Sequence, residues 1–162
     1  MADPEPEVDD RHPADVVTAM VDHVLQVAAS WPRWDDRPIE IPAEDEPSRI
    51  YTPHKAIRRV ADHLVDHLAE LEARLAGRPT EPDHWHASAA TTPADLAAFT
   101  TVDLDEARSR LRRLALIWDV RLRAISEQRL DNQAGNAWTL RQLAFHVAES
   151  SFYADSVAAL PQ

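Results

Sequence analysis

The sequence contains no cysteine and only two glycines, Gly77 and Gly135, among its 162 residues. Without a thiol there is no disulfide, no thiolate metal ligand and no cysteine nucleophile. So few glycines tell against a strand-rich fold, whose tight turns call for residues that tolerate positive φ. Lysine is nearly missing too. Lys55 is the only one, so Schiff-base chemistry has a single candidate, and nothing in the neighbouring sequence marks it. No run of about 18 apolar residues occurs, and the opening "MADPEPEVDDRHPAD" is acidic and proline-rich where a secretory leader is basic and then apolar. These features predict a soluble, cytoplasmic protein with no membrane partner. Neither a glycine-rich phosphate loop nor a GxSxG elbow nor a His-Glu-x-x-His pattern is present.

What the chain does carry is acid, arginine and helical periodicity. The formal net charge is −11, with acidic runs in "DPEPEVDD" and "PAEDEP". That field repels phosphate backbones, so no nucleic-acid partner is predicted. Residues 1–12 read as a disordered acidic tail, and residues 13–162 as one domain.

Four long amphipathic segments follow. From about Pro13 to Ser30, the residues Val17, Met20, Val24, Val27 and Trp31 recur at helical spacing. The link "WPRWDDRPIEIPAEDEPSRIY" holds too many prolines for a helix, and Trp31, Trp34 and Ile39 are expected to pin it to the core. A second helix starts at Thr52-Pro53, runs on Ile57, Ala61, Leu64, Leu68, Leu71 and Leu75, and stops at Gly77. Thr92-Pro93-Ala94-Asp95 caps a short helix. The third opens with Asp103-x-x-Glu106 and runs to about Gln128 on Leu104, Ala107, Leu111, Leu114, Trp118 and Ile125. The fourth opens at Thr139-x-x-Gln142, with Trp138 stapling onto Leu143, and turns Leu143, Val147, Ala154 and Val157 inward. The predicted fold class is all-α, a four-helix bundle with long crossover loops.

Polar chemistry concentrates on the shoulders of two of these helices. At about 100° per residue, with Ile57 at zero, His67 falls near −80°, His63 near −120° and Glu70 near −140°. With Leu143 at zero, His146 falls near −60°, Tyr153 near −80° and Glu149 near −120° on the same rotation. Imidazoles at i and i+4 stand about 5–6 Å apart at Cβ and can close on one divalent ion, and a third from a facing helix leaves positions open for water or substrate. The same spacing also suits polar residues that merely solvate a helix flank. Glu70 is a candidate fourth ligand or a partner that orients an imidazole.

Two segments resemble a known family. "AWTLRQLAFHVAES" is similar to the Trp-Ser/Thr-x-x-x-Leu-x-x-His segment of DinB/YfiT-like proteins, and "HKAIRRVADHLVDHLAEL" to their His-x-x-x-His helix. The resemblance spans residues from about 50 to 160 and implies a DinB-like four-helix bundle. It further implies a divalent ion (zinc, nickel or iron) on His63, His67 and His146, and a thiol-dependent transferase or isomerase acting on a small molecule such as a low-molecular-weight thiol. In most members the lone histidine comes first; here the pair does, which implies a permuted helix order. A non-catalytic helical binding or stress-response module, with a structural metal or none, is the alternative.

Other residues carry smaller expectations. Tyr153 and Glu149 are candidate catalytic groups beside the metal. Arg58, Arg59, Arg121 and Arg123 are candidate anion binders. The "DHWH" segment, residues 83–86, suggests a surface loop or a lid, while His12, His23 and His54 are not expected to be ligands. Phe145, Ala148 and Phe152 lie on the outer side of the fourth helix, where either a homodimer contact or cover from the long linker would bury them.

Overall fold

A computed structural model describes residues 9–42, 48–82 and 87–161. The first eight residues of the expected tail and the "DHWH" segment lie outside the described residues. The protein is predominantly helical. Its long helices are α1 (Pro13–Ala28), α2 (Pro53–Leu75) and α3 (Thr101–Arg123), followed by the short α4 (Glu127–Leu130), then α5 (Leu140–Ala148) and α6 (Ser151–Val157). α1 packs against α3, α5 and α6, and α2 against α3, α5 and α6. None of the described helices is long and apolar enough to cross a membrane.

The helix boundaries follow from local chemistry. Thr52, in extended conformation, accepts a hydrogen bond from the Lys55 amide at 3.1 Å, and Pro53 holds the first helical position of α2. Gly77, at φ +66°, closes its other end: its amide donates to Arg74 O at 3.2 Å and that of Arg78 to Ala73 O at 2.8 Å. This pair of bonds is the Schellman arrangement that a left-handed residue makes accessible. α3 begins earlier than expected. Thr100 and Asp103 form a reciprocal capping box, so Asp103 is the third helical residue and not the cap. The same helix ends at Arg123, which leaves Ile125 buried but beyond it. At the first helix, the His12 ring serves as the cap, accepting from the Ala14 amide at 3.2 Å.

Two further departures shape the site. The predicted fourth helix is a rod in two pieces, α5 and α6, joined at Glu149 and Ser150. There the amides of Phe152 and Tyr153 donate three residues back, to Glu149 O at 3.0 Å and Ser150 O at 3.1 Å. Such tightened turns rotate about 120° per residue in place of 100°, so Tyr153 swings further toward the core than an ideal wheel puts it. The second departure is a hairpin inside the linker. β1 (Ile39–Ile41) pairs antiparallel with β2 (Arg49–Tyr51), setting Ile39 opposite Tyr51 and Ile41 opposite Arg49. Tyr51 is fully buried by this pairing, and its ring meets that of Phe152 edge-on at 6.2 Å between centroids. The linker thus supplies part of the cover that is one of the two expectations for this face, with Phe152 still half exposed and Phe145 half buried.

The core lies between the helices. Trp31, Leu64, Leu71, Leu111, Trp118 and Leu143 are wholly enclosed. Both buried indoles find a partner: Trp31 donates to Ala158 O at 2.8 Å and Trp118 to Leu64 O at 3.0 Å. Trp31 pins the linker as expected, and Ile39 packs against the same core.

Candidate metal centre

His63 and His67 stand one turn apart on α2, and His146 projects from the last turn of α5. The structure brings the three together. Ring centroids are 5.1 Å apart for His63 and His67, 5.4 Å for His63 and His146, and 5.0 Å for His67 and His146. One nitrogen from each ring lies within 4.8 Å of the others, and among the described residues this is the only such group of metal-ligating side chains. A tetrahedral ion with bonds of about 2.1 Å would draw those nitrogens to about 3.4 Å.

The rings are oriented by carboxylates. Nδ1 of His67 lies 2.9 Å from Glu70 Oε2, and Nδ1 of His146 lies 3.1 Å from Glu149 Oε2. An ionised carboxylate only accepts, so in a neutral imidazole this contact favours the tautomer with the proton on Nδ1 and the lone pair on Nε2. Arg74 strengthens the first of these arrangements. It reaches Glu70 Oε1 at 3.5 Å and also donates to the backbone oxygen of Trp138, bracing the end of α2 against the segment that leads into α5.

The surroundings are half open. All three imidazoles are partly exposed, and two of them, His63 and His146, line a cavity of about 250 Å³ together with Glu149, Ser150, Phe152 and Tyr153. The indole of Trp138 lies over His146 at 4.5 Å between centroids, a contact the expected staple to Leu143 does not foresee. Larger hollows of about 550 and 610 Å³ lie between α2 and α3 and beside Trp34, but neither holds a cluster of metal ligands among the described residues.

Tyr153 lines the cavity together with His63 and His146, and its ring stands 5.7 Å from that of His63. Its hydroxyl accepts from Arg59 Nη2 at 3.3 Å and lies 3.2 Å from Ser88 Oγ. Glu149 is largely exposed and engaged with His146. Glu70 proves to be a hydrogen-bond partner of His67.

The remaining candidates go elsewhere. Arg121 pairs with Glu72, and Arg123 with Asp119 and Asp15. His23 is bound to Asp155, and His54 Nε2 lies 3.1 Å from Ala98 O. Arg58 is committed to Asp95 by bonds of 2.9 and 2.7 Å. Burial pushes the Asp95 carboxyl up, but those bonds and the Thr92 amide outweigh it and hold the group below its usual range.

Sequence reasoning missed three participants: Ser88, Trp138 as a wall, and Tyr51 behind Tyr153. For Tyr51 the three-residue "RIY" is too short to signal a strand by its own pattern. Ser88 had no signal. Set against models of known protein families, curated proteins and solved structures, the chain finds no match.

Proposed function

We propose that this chain is a mononuclear metal-dependent enzyme on a DinB-like four-helix bundle, in which His63, His67 and His146 hold one divalent ion before a small substrate. α1, α2, α3 and the α5–α6 rod supply the four bundle members, and a low-molecular-weight thiol undergoing transfer or isomerisation is the favoured substrate. The observation that carries this reading is the convergence of one nitrogen from each of three imidazoles on two helices, with two of the rings fixed by carboxylates.

The donor set fits zinc, nickel or iron(II), all of which take imidazole nitrogen. An ion bound there would supply Lewis acidity, lowering the pKa of a coordinated water or thiol so that a nucleophile exists near neutral pH. Three protein ligands beside an accessible cavity leave a position for exchange, as catalytic sites do and closed structural sites do not. Glu70 and Glu149 hold two of the rings, Trp138 lies against His146, and Tyr153 brings a phenol to the cavity that His63 and His146 line.

The test is elemental analysis of untagged protein, repeated on His63→Ala and His146→Ala. A stoichiometric ion in the native protein that is lost in both variants supports the site. Metal-free native protein whose melting is unchanged by added zinc, nickel or iron(II) overturns it. Turnover against paired thiols and electrophiles then separates the enzyme from a non-catalytic module.

A further inference from the structure

Arg59 is 6% exposed although it carries a full charge, and its donors are spent in an unusual way. Nε donates to Ser88 Oγ at 3.1 Å and Nη2 to Tyr153 Oη at 3.3 Å, while those two hydroxyls lie 3.2 Å apart. The three groups close a ring. Each hydroxyl already accepts from the guanidinium, and one proton suffices for the bond between them. One hydroxyl proton is therefore left without a partner inside the ring, and Tyr153 lines the cavity beside His63 and His146.

The local charge agrees with this geometry. Lys55, Arg58 and Arg59 share the first turns of α2, and Asp62 and Asp95 are the carboxylates that answer them. Asp95 takes Arg58, and Asp62 serves both arginines at 3.6 and 3.1 Å. Lys55 is fully buried, with Thr91 Oγ1 at 3.1 Å and the Tyr51 ring at 5.2 Å, and no carboxylate within ion-pair distance among the described residues. The Tyr51 hydroxyl, also buried, makes no hydrogen bond of normal geometry, and its ring stands 5.9 Å from that of Tyr153. In a chain of net charge −11, three cations near the start of α2 are answered by two carboxylates, while Glu149 is the carboxylate that lines the cavity itself.

We infer that Arg59, Ser88 and Tyr153 form a carboxylate-recognition wall beside the metal centre, so that the small ligand carries an anionic oxygen as well as the group that meets the ion. Tyr153 touches the anion. Arg59 and Ser88 are positioning residues that aim its proton and supply the field. This inference rests on the metal site proposed above and names the class of molecule that would occupy it.

The experiment uses the full chain loaded with cobalt(II), titrated with 3-mercaptopropionate and with its uncharged amide, read by thiolate-to-cobalt absorption. The acid is expected to bind about tenfold more tightly than the amide, the worth of one charge-assisted hydrogen bond. Tyr153→Phe and Ser88→Ala are each expected to cut that preference below about threefold while leaving the amide's affinity unchanged, and Ser88→Thr is expected to restore it. A purely structural role would weaken both thiols together. Equal affinities in the native protein overturn the wall yet leave a metal–thiol site standing. A preference that survives both variants also overturns it, since the ion's own charge would then be its source. Cobalt bound without either thiol binding, or no cobalt bound, overturns the wall together with the reading beneath it.

Discussion

Glu70→Gln removes a charge and leaves every metal ligand in place. The carboxylate holds His67 through a 2.9 Å bond and is about a third exposed, with Arg74 at 3.5 Å as its own partner. Loss of such an outer partner costs about 10- to 100-fold in metal affinity, because the imidazole becomes less basic and less firmly aimed. Partial exposure and the competing Arg74 place Glu70 in the lower part of that span, about 10- to 30-fold, or roughly 1.4–2 kcal/mol. Glu149 holds His146 at 3.1 Å but is 75% exposed, so Glu149→Gln should cost less than about fivefold. Competition between the protein and a chromogenic zinc chelator measures both. Melting at fixed free zinc gives an independent reading, since binding only to the folded state adds RT ln(1 + [L]/Kd). At about 2–4 °C per kcal/mol for a chain of this size, Glu70→Gln should lower the zinc-bound melting temperature by about 3–8 °C. It should lower that of the metal-free protein by less than about 2 °C, the worth of the part-exposed pairing with Arg74. Unchanged zinc affinity in Glu70→Gln, or a larger loss in Glu149→Gln, would refute the assignment.

Two other substitutions test buried charge. Asp95→Asn strips Arg58 of its partner and should cost about 2–4 kcal/mol in urea unfolding, below the usual toll for a fully buried pair because the arginine is a quarter exposed. Because the native carboxyl is held below its unfolded value of about 3.9, its contribution is complete above that value and is lost as pH falls through the native one. The variant should therefore show a flatter acid limb, and parallel limbs would contradict the pairing. Lys55→Met should raise stability by about 1–3 kcal/mol near neutral pH, because the native protein buries this amine with no carboxylate within ion-pair distance among the described residues. Burial, aided by the Arg58 charge, pushes the Lys55 ammonium below its usual range. Stability of the native protein should accordingly rise with pH between that depressed value and about 10.4, narrowing the gap to the variant. A variant less stable than native at pH 7 would overturn this reading.

Much of the framework was legible because the signals were short-range. Capping residues at Thr52, Thr92 and Thr139, the stop at Gly77 and the inward stripe of α2 all act within a turn or two of chain. The histidine triad was legible for a related reason. A helix of fixed pitch assigns His63 and His67 to one shoulder, and the matching shoulder of His146 needs only that the two helices meet. The hairpin was hidden because its strands are three residues each and stand in a proline-rich stretch, where pairing is decided by packing on α6 and not by propensity. The break at Glu149 and Ser150 was hidden as well. Both residues keep near-helical angles, and the tightening shows only in which carbonyl each amide chooses. Ser88 comes to Tyr153 across 65 positions of sequence, a proximity no local pattern encodes.

The same clip, a histidine followed three places later by a glutamate, closes on α2 and again on α5. In each case orientation is a property of one helix and separation a property of two. The imidazoles of His67 and His146 each take their aim from a carboxylate three residues on, within or just beyond their own turn of helix. Docking α2 against the α5–α6 rod then has a single quantity left to set, the gap between the donors. A substitution that shifts one rod along the other should therefore change how tightly an ion is held without changing which nitrogen faces it.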